Sequence, residues 1–123
     1  MSAGEESVEK YRSALIDAAV EGWRFSRLFS RLISKLDAGE SSRYLSQQRY
    51  FQKKISESLE DVGLKLVNVE GQVYDPGIAA TALNLEDFAP HDMLMVEQMV
   101  EPIIMDANGL CRSGTVMLMR VEK

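Results

Sequence analysis

The sequence predicts an α+β protein: an N-terminal helical hairpin, residues 1–62, followed by a small all-β C-terminal domain, residues 63–123. Two observations carry the prediction. From Val8 to Leu36 the positions Val8, Tyr11, Leu15, Ala18, Gly22, Phe25, Phe29, Leu32 and Leu36 recur in alternating steps of three and four, the spacing of a helical seam. After Gly63 the pattern changes to short apolar runs separated by Gly, Pro and Asn turns, as strands require.

The first helix, at about 1.5 Å per residue, would run on the order of 40 Å. A chain of this size cannot bury that length along one side by itself, so partner helices are implied. One is the next segment, where Leu45, Gln48, Phe51, Ile55, Leu59 and Val62 repeat the spacing; the other is a second copy of the chain. Ser7 is the expected N-cap, with residues 1 to 6 frayed ahead of it. Ala38-Gly39 is the expected left-handed stop, ending the helix near Asp37. Ser41 or Ser42 then caps a second helix that runs to about Val62 and terminates at Gly63. A short loop between two amphipathic helices predicts an antiparallel pair.

Beyond Gly63, Leu64 to Val69 and Gln72 to Tyr74 flank Glu70-Gly71 as a small hairpin or turn, and Asp75-Pro76-Gly77 is a turn. Ile78 to Leu85, rich in Ala, reads as a short helix or a loop, and Ala89-Pro90-His91-Asp92 as a loop. Met93 to Met105 faces Leu110 to Val121 across Asp106-Ala107-Asn108-Gly109, a hairpin signal. Pro102 confines its strand to an edge or a bulge.

With 123 residues, 46% of them hydrophobic, the chain has the apolar mass for a modest core. Its net charge of −5 hides an asymmetry: residues 1–9 carry −3, residues 10–54 carry +6 and residues 55–123 carry −8. The helices are basic and the remainder acidic. One cysteine, Cys111, makes no internal disulfide and fits a reducing compartment. Met1 to Lys10 is acidic without an apolar run, unlike a signal peptide, and no apolar stretch approaches the ~20 residues of a membrane span. The expectation is a cytoplasmic protein.

Catalytic chemistry finds little support. His91 stands in a Pro-containing loop with Asp92 as its one neighbouring partner, the setting of a solvated loop histidine. Cys111 beside Arg112 reads as a small buried hydrophobe. No phosphate-cradling glycine loop, metal-spaced Cys or His pair, or nucleophile–base–acid set is visible, so neither enzyme activity nor a cofactor is expected. Arg24, Arg27, Arg31 and Lys35 form a basic stripe that Arg43, Arg49, Lys53 and Lys54 extend. It reads first as a solvated helix face and second as a docking surface for a partner. Nucleic acid is disfavoured, because phosphate binding requires a net basic domain with stacking aromatics. Met93, Met95, Met99, Met105, Met117 and Met119 are divided between a small core and an adaptable surface.

Leu59-x-x-Val62-Gly63-Leu64-x-x-Val67, Tyr74-Asp75-Pro76, Ala89-Pro90, Asn108-Gly109 and Arg112 through Val116 occur in an order that resembles the GrpE family, the nucleotide-exchange factors of DnaK-type chaperones, over residues 15 to 121. The chain departs from the family at Ala79, where a His is usual, at Ser113-Gly114, and in a shortened first helix. The resemblance implies a homodimeric four-helix bundle, with Leu15, Phe25, Phe29, Leu32, Leu36, Phe51 and Ile55 at the interface. It also implies a small β-domain that, with part of the helices, grips the chaperone's ATPase domain and promotes ADP release. The implied partner contacts are Glu97, Leu110, Arg112 and Leu118, to which the basic stripe adds Arg24, Arg27 and Arg31. The alternative is a structural or adaptor protein on the same scaffold that no longer promotes exchange.

Overall fold

The structure, a computed structural model, describes residues 3–121. It is α+β, and the chain divides into two compact units, Met1–Lys65 and Leu66–Lys123.

In the first unit, α1 spans Ala3–Ile33 and α2 spans Ala38–Glu60. The helix starts ahead of the expected cap at Ser7, with Glu5 and Glu6 in its first turn, where carboxylates complement the helix dipole. Residues 1 and 2 of the segment expected to fray lie outside the described residues. At the other end α1 stops earlier than expected. Lys35 and Leu36 donate to the carbonyls of Leu32 and Ile33 in a tightening turn. The reason is Asp37, whose carboxylate accepts the Glu40 N–H at 2.9 Å and N-caps α2. Ala38-Gly39 is therefore the opening of α2 rather than a stop, and Gly39 is not among the positive-φ glycines. Ser41 and Ser42 lie inside the helix, where Ser41 Oγ–H donates to Ala38 O at 3.2 Å and Ser42 O accepts from Ser46 Oγ at 3.1 Å.

The C-terminus of α2 behaves as expected. Gly63 adopts φ +79°, Gly63 N–H donates to Glu60 O at 3.0 Å and Leu64 N–H reaches back to Leu59 O at 2.9 Å. This paired closure turns the chain out of the helix on a left-handed glycine, with Leu59 and Leu64 both buried.

α1 meets α2 through a polar centre. Gln48, buried, donates to Ser26 O and to Ser30 Oγ at 2.7 Å, and Gln52 donates to Ser26 Oγ at 2.7 Å. Phe29 and Tyr44 meet edge to face at 6.2 Å. A Cβ on Gly22 would stand 3.2 Å from Phe51 Cζ and 3.5 Å from Ile55 Cδ1, so Gly22 is where the backbone of α1 comes nearest these side chains.

The second unit is a small all-β region of two three-stranded sheets, β1-β4-β5 and β2-β6-β3. The strands are β1 Lys65–Val67, β2 Ala80–Ala82, β3 Leu94–Glu101, β4 Ile103–Asp106, β5 Gly109–Arg112 and β6 Gly114–Arg120. The expected long hairpin divides between them. It breaks at Pro102 and Ser113, so that β3 pairs with β6 in one sheet and β4 with β5 in the other. Gly114 sits at this crossover, where an added Cβ would lie 2.6 Å from the Glu101 carbonyl oxygen.

Ile78 to Leu85 contains β2 rather than a helix, paired in parallel with β6 from Ala80↔Gly114 to Ala82↔Val116; tertiary pairing overrides the helix propensity of Ala. Asn84 then extends the ladder with its side chain, donating to Leu118 O at 3.0 Å and accepting Leu118 N–H at 2.9 Å. Gln72 to Tyr74 lies along β3, with Val96 N–H donating to Gln72 O and Tyr74 N–H to Leu94 O, both at 2.9 Å. Val69, Leu94, Val96, Met99, Ile103, Ile104, Val116 and Leu118 are the buried apolar residues. Of the six methionines beyond Gly63, Met99 is fully buried, Met93 and Met119 are exposed and the other three are half-buried.

Candidate partner-binding surfaces

The buried arc of α1 is not the expected one. Ile16, Ala19, Val20, Trp23, Ser26 and Ile33 are buried, an arc turned by about one residue, or 100°, from the predicted seam. Leu15, Phe29 and Leu36 are half-buried, whereas Phe25 and Leu32 stand in water. On α2, Ile55 is half-buried and Phe51 exposed.

The consequence is an apolar face open to solvent. Tyr11 is 73% exposed, Phe25 68%, Leu28 59% and Leu32 59%, with Tyr44 at 36% and Phe51 at 44% on α2. Along α1 the exposed positions Tyr11, Ala14, Ala18, Glu21, Phe25, Leu28 and Leu32 alternate in steps of three and four, interrupted at Glu21 alone, which is the pattern of a helix-pairing stripe. At roughly 200 Å² for a large side chain fully in water, the six large residues present on the order of 700 Å² per copy, near the ~800 Å² per partner of a stable interface. Sequence reading missed Leu28 and Tyr44 here; each lies one step outside the predicted seam.

The basic stripe is less uniform than its spacing predicts. Arg24 pairs with Glu21 at 3.4 Å, and Arg27 lies over the Trp23 ring at 5.2 Å, a cation–π contact. Arg31 stays exposed in the last turn of α1.

In the β-unit, Glu97 is exposed at an irregularity of β3, while Leu110 and Arg112 lie on β5 of the other sheet. Leu110 is exposed and Arg112 half-buried. Leu118 is 2% exposed, with Asn84 bonded to its backbone, so its side chain belongs to the core rather than to an exposed contact surface. Cys111 is exposed rather than buried, because β5 ends its sheet's strand order. His91 is exposed in its turn. No group of three or more His, Cys, Asp or Glu residues suited to a metal occurs among the described residues, and no described helix is long and apolar enough to cross a membrane.

A groove of about 620 Å³ opens within the β-unit, bounded by Val73, Tyr74, Pro76, Leu85, Phe88 and Met93 and by the turn at Pro90 and Asp92. By sequence these residues divide among a small hairpin or turn (Val73, Tyr74), turns and loops (Pro76, Pro90, Asp92), a short helix or loop (Leu85) and a strand (Met93), with no site among them. The signal passed over is charge: residues 66–111 hold eight carboxylates and no Lys or Arg.

Comparison with protein-family models, with curated proteins and with solved structures finds no match.

Proposed function

We propose that the chain is a GrpE-like co-chaperone, a homodimer that binds the ATPase domain of a DnaK-type chaperone and promotes ADP release without chemistry of its own. The observation that carries the proposal is the joint at Gly63. The second of two long helices ends there on a left-handed glycine, and a small region of six strands follows. The open apolar face supports the dimer, with Phe25, Leu32 and Phe51 as its centre and Leu15, Phe29, Leu36 and Ile55 as half-buried supports. Leu110 and Arg112 on β5 are the proposed chaperone contacts, with Glu97 on the other sheet and Arg24, Arg27 and Arg31 on α1 as secondary ones.

Exchange rests on linkage. A factor that opens the nucleotide cleft binds the empty form better than the ADP form, and ADP weakens its binding by the same ratio. A ratio of ~1,000 corresponds to about 4 kcal/mol. The test is stopped-flow release of a fluorescent ADP analogue from the DnaK-type chaperone of the same cell. Faster release at saturating protein supports the proposal.

A second reading, an adaptor that binds the chaperone without driving exchange, draws on two observations. The residue directly after Asn108-Gly109 is Leu110 where the family carries Arg, and Leu118 is core. Binding without accelerated release selects this reading.

A further inference from the structure

We propose that the groove in the β-unit is a binding site for a short basic peptide, which seats an apolar side chain between Tyr74 and the Pro90 turn and sets flanking Lys or Arg residues against the surrounding carboxylates. The site goes beyond the chaperone proposal and does not depend on it, since none of the residues proposed to touch the chaperone bounds the groove.

Shape is the first argument. The volume, about 620 Å³, falls in the usual range of ligand sites, which are apolar with few polar groups. Val73 at 61% and Met93 at 63% exposure, with Leu85 beside them, leave large apolar side chains in water where a solvated turn would carry polar ones. Met93 supplies an unbranched side chain that adapts to different occupants.

Rigidity is the second. Tyr74 N–H donates to Leu94 O at 2.9 Å and fixes one wall to β3. Ala89 N–H donates to Asp92 Oδ2 at 2.9 Å and Asp92 N–H to Ala89 O at 3.0 Å, which closes the opposite turn on itself. Phe88 N–H donates to Leu85 O at 3.3 Å. Walls already held by hydrogen bonds lower the ordering cost of binding.

Charge selects the occupant. Asp75, Glu86 and Asp87 are exposed on the segments that form the groove, and no Lys or Arg occurs from residue 66 to residue 111. Asp92, on the wall, lies 3.6 Å from Arg120 Nε; Asp75, Glu86 and Asp87 are each next in sequence to a residue that bounds the groove. Nucleotides, fatty acids and anionic lipid are repelled, whereas an apolar residue flanked by Lys or Arg meets both the groove and its rim.

The test uses the full chain and two fluorescein-labelled peptides, one with a Leu-Phe pair between lysines and one with glutamates in place of the lysines, read by fluorescence anisotropy. The lysine peptide is expected to bind with Kd below ~100 µM and the glutamate peptide at least ~10-fold more weakly. Raising salt from ~0.05 to ~0.3 M is expected to weaken the lysine peptide several-fold, as screening shortens the reach of the carboxylates. Val73→Ser with Met93→Ser, both at exposed positions, is expected to weaken it about tenfold with an unchanged circular dichroism spectrum. Equal affinity for the two peptides overturns the proposal, as does an unchanged affinity in the double variant. Loss of binding in Phe25→Ser instead places the peptide on the helical face and overturns it too.

Discussion

Phe25 separates the proposed dimer from the fold of the single chain. It is 68% exposed, so Phe25→Ala removes little that the isolated chain buries, and Ala is the better helix former by a few tenths of a kcal/mol. The consequence falls on association. Burying a Phe is worth ~1.5–3 kcal/mol, of which the fraction still in water accounts for about 1–2 kcal/mol. A two-fold dimer loses this at two positions, about 2–4 kcal/mol in total, which raises Kd by about 30-fold to about 1,000-fold. Sedimentation equilibrium over a dilution series measures the shift, and urea unfolding below the dimer Kd measures the chain itself. Ile16→Ala is the control: Ile16 is 8% exposed, and its loss is expected to cost the fold ~2–5 kcal/mol. A parent protein that sediments as a monomer at ~10 µM, or a Phe25→Ala Kd within about threefold of the parent's, refutes the reasoning.

Three further outcomes are expected. Asp37→Ala removes the acceptor for the Glu40 N–H and is expected to lower stability by ~1 kcal/mol, read from the urea midpoint; no change would mean that water satisfies that turn equally well. Gly114→Ala forces a Cβ to 2.6 Å from the Glu101 carbonyl and 3.0 Å from Ile103 Cγ1, an overpacking of roughly 1–3 kcal/mol that a thermal melt would register and a neutral result would contradict. Arg112→Ala is expected to weaken chaperone binding about tenfold to a hundredfold, the loss of one charge-assisted hydrogen bond, while sedimentation stays that of the parent; unchanged affinity would remove β5 from the contact.

Much of the β-unit was legible because turns are local chemistry. Asp75-Pro76-Gly77 and Asn108-Gly109 punctuate the chain where a turn residue must stand, with Gly109 at φ +128°. The pairing of strands was less legible. Pro102 marked a break, but a proline announces an interruption and not the sheet that the next residues join. Ala80 to Ala82 carries little strand propensity beyond Thr81, and its conformation is set by pairing along β6. At the helix junction, Ala38-Gly39 reads as a stop for the first helix and Ser41 or Ser42 as the cap of the second; the Asp37 carboxylate, bonded to the Glu40 N–H, starts α2 earlier and takes these residues into its first turns.

The helical face was legible in its period and wrong in its phase, and the difference bears on the dimer. α1 is apolar around close to half its circumference, so two stripes at the same spacing compete for the same partner helix. The stripe of Ile16, Val20, Trp23 and Ile33 won, and it carries a polar centre. Ser26 and Gln48 are inside, satisfying one another through Ser30 and Gln52, while Phe25, Leu28 and Tyr11 are left in water. The opposite rotation would expose Ile16, Val20, Trp23 and Ile33, each worth ~1.5–3 kcal/mol buried, and would break the hydrogen bonds, each a net ~1 kcal/mol, so the chain keeps this phase. Gly22 shows why it does not turn: this face of the helix approaches Phe51 to within 3.2 Å of a Cβ, and rotating Phe25 inward would drive a ring into that space. In the proposed dimer both gains are kept: the polar centre joins the two helices of a copy, and the aromatic stripe joins two copies.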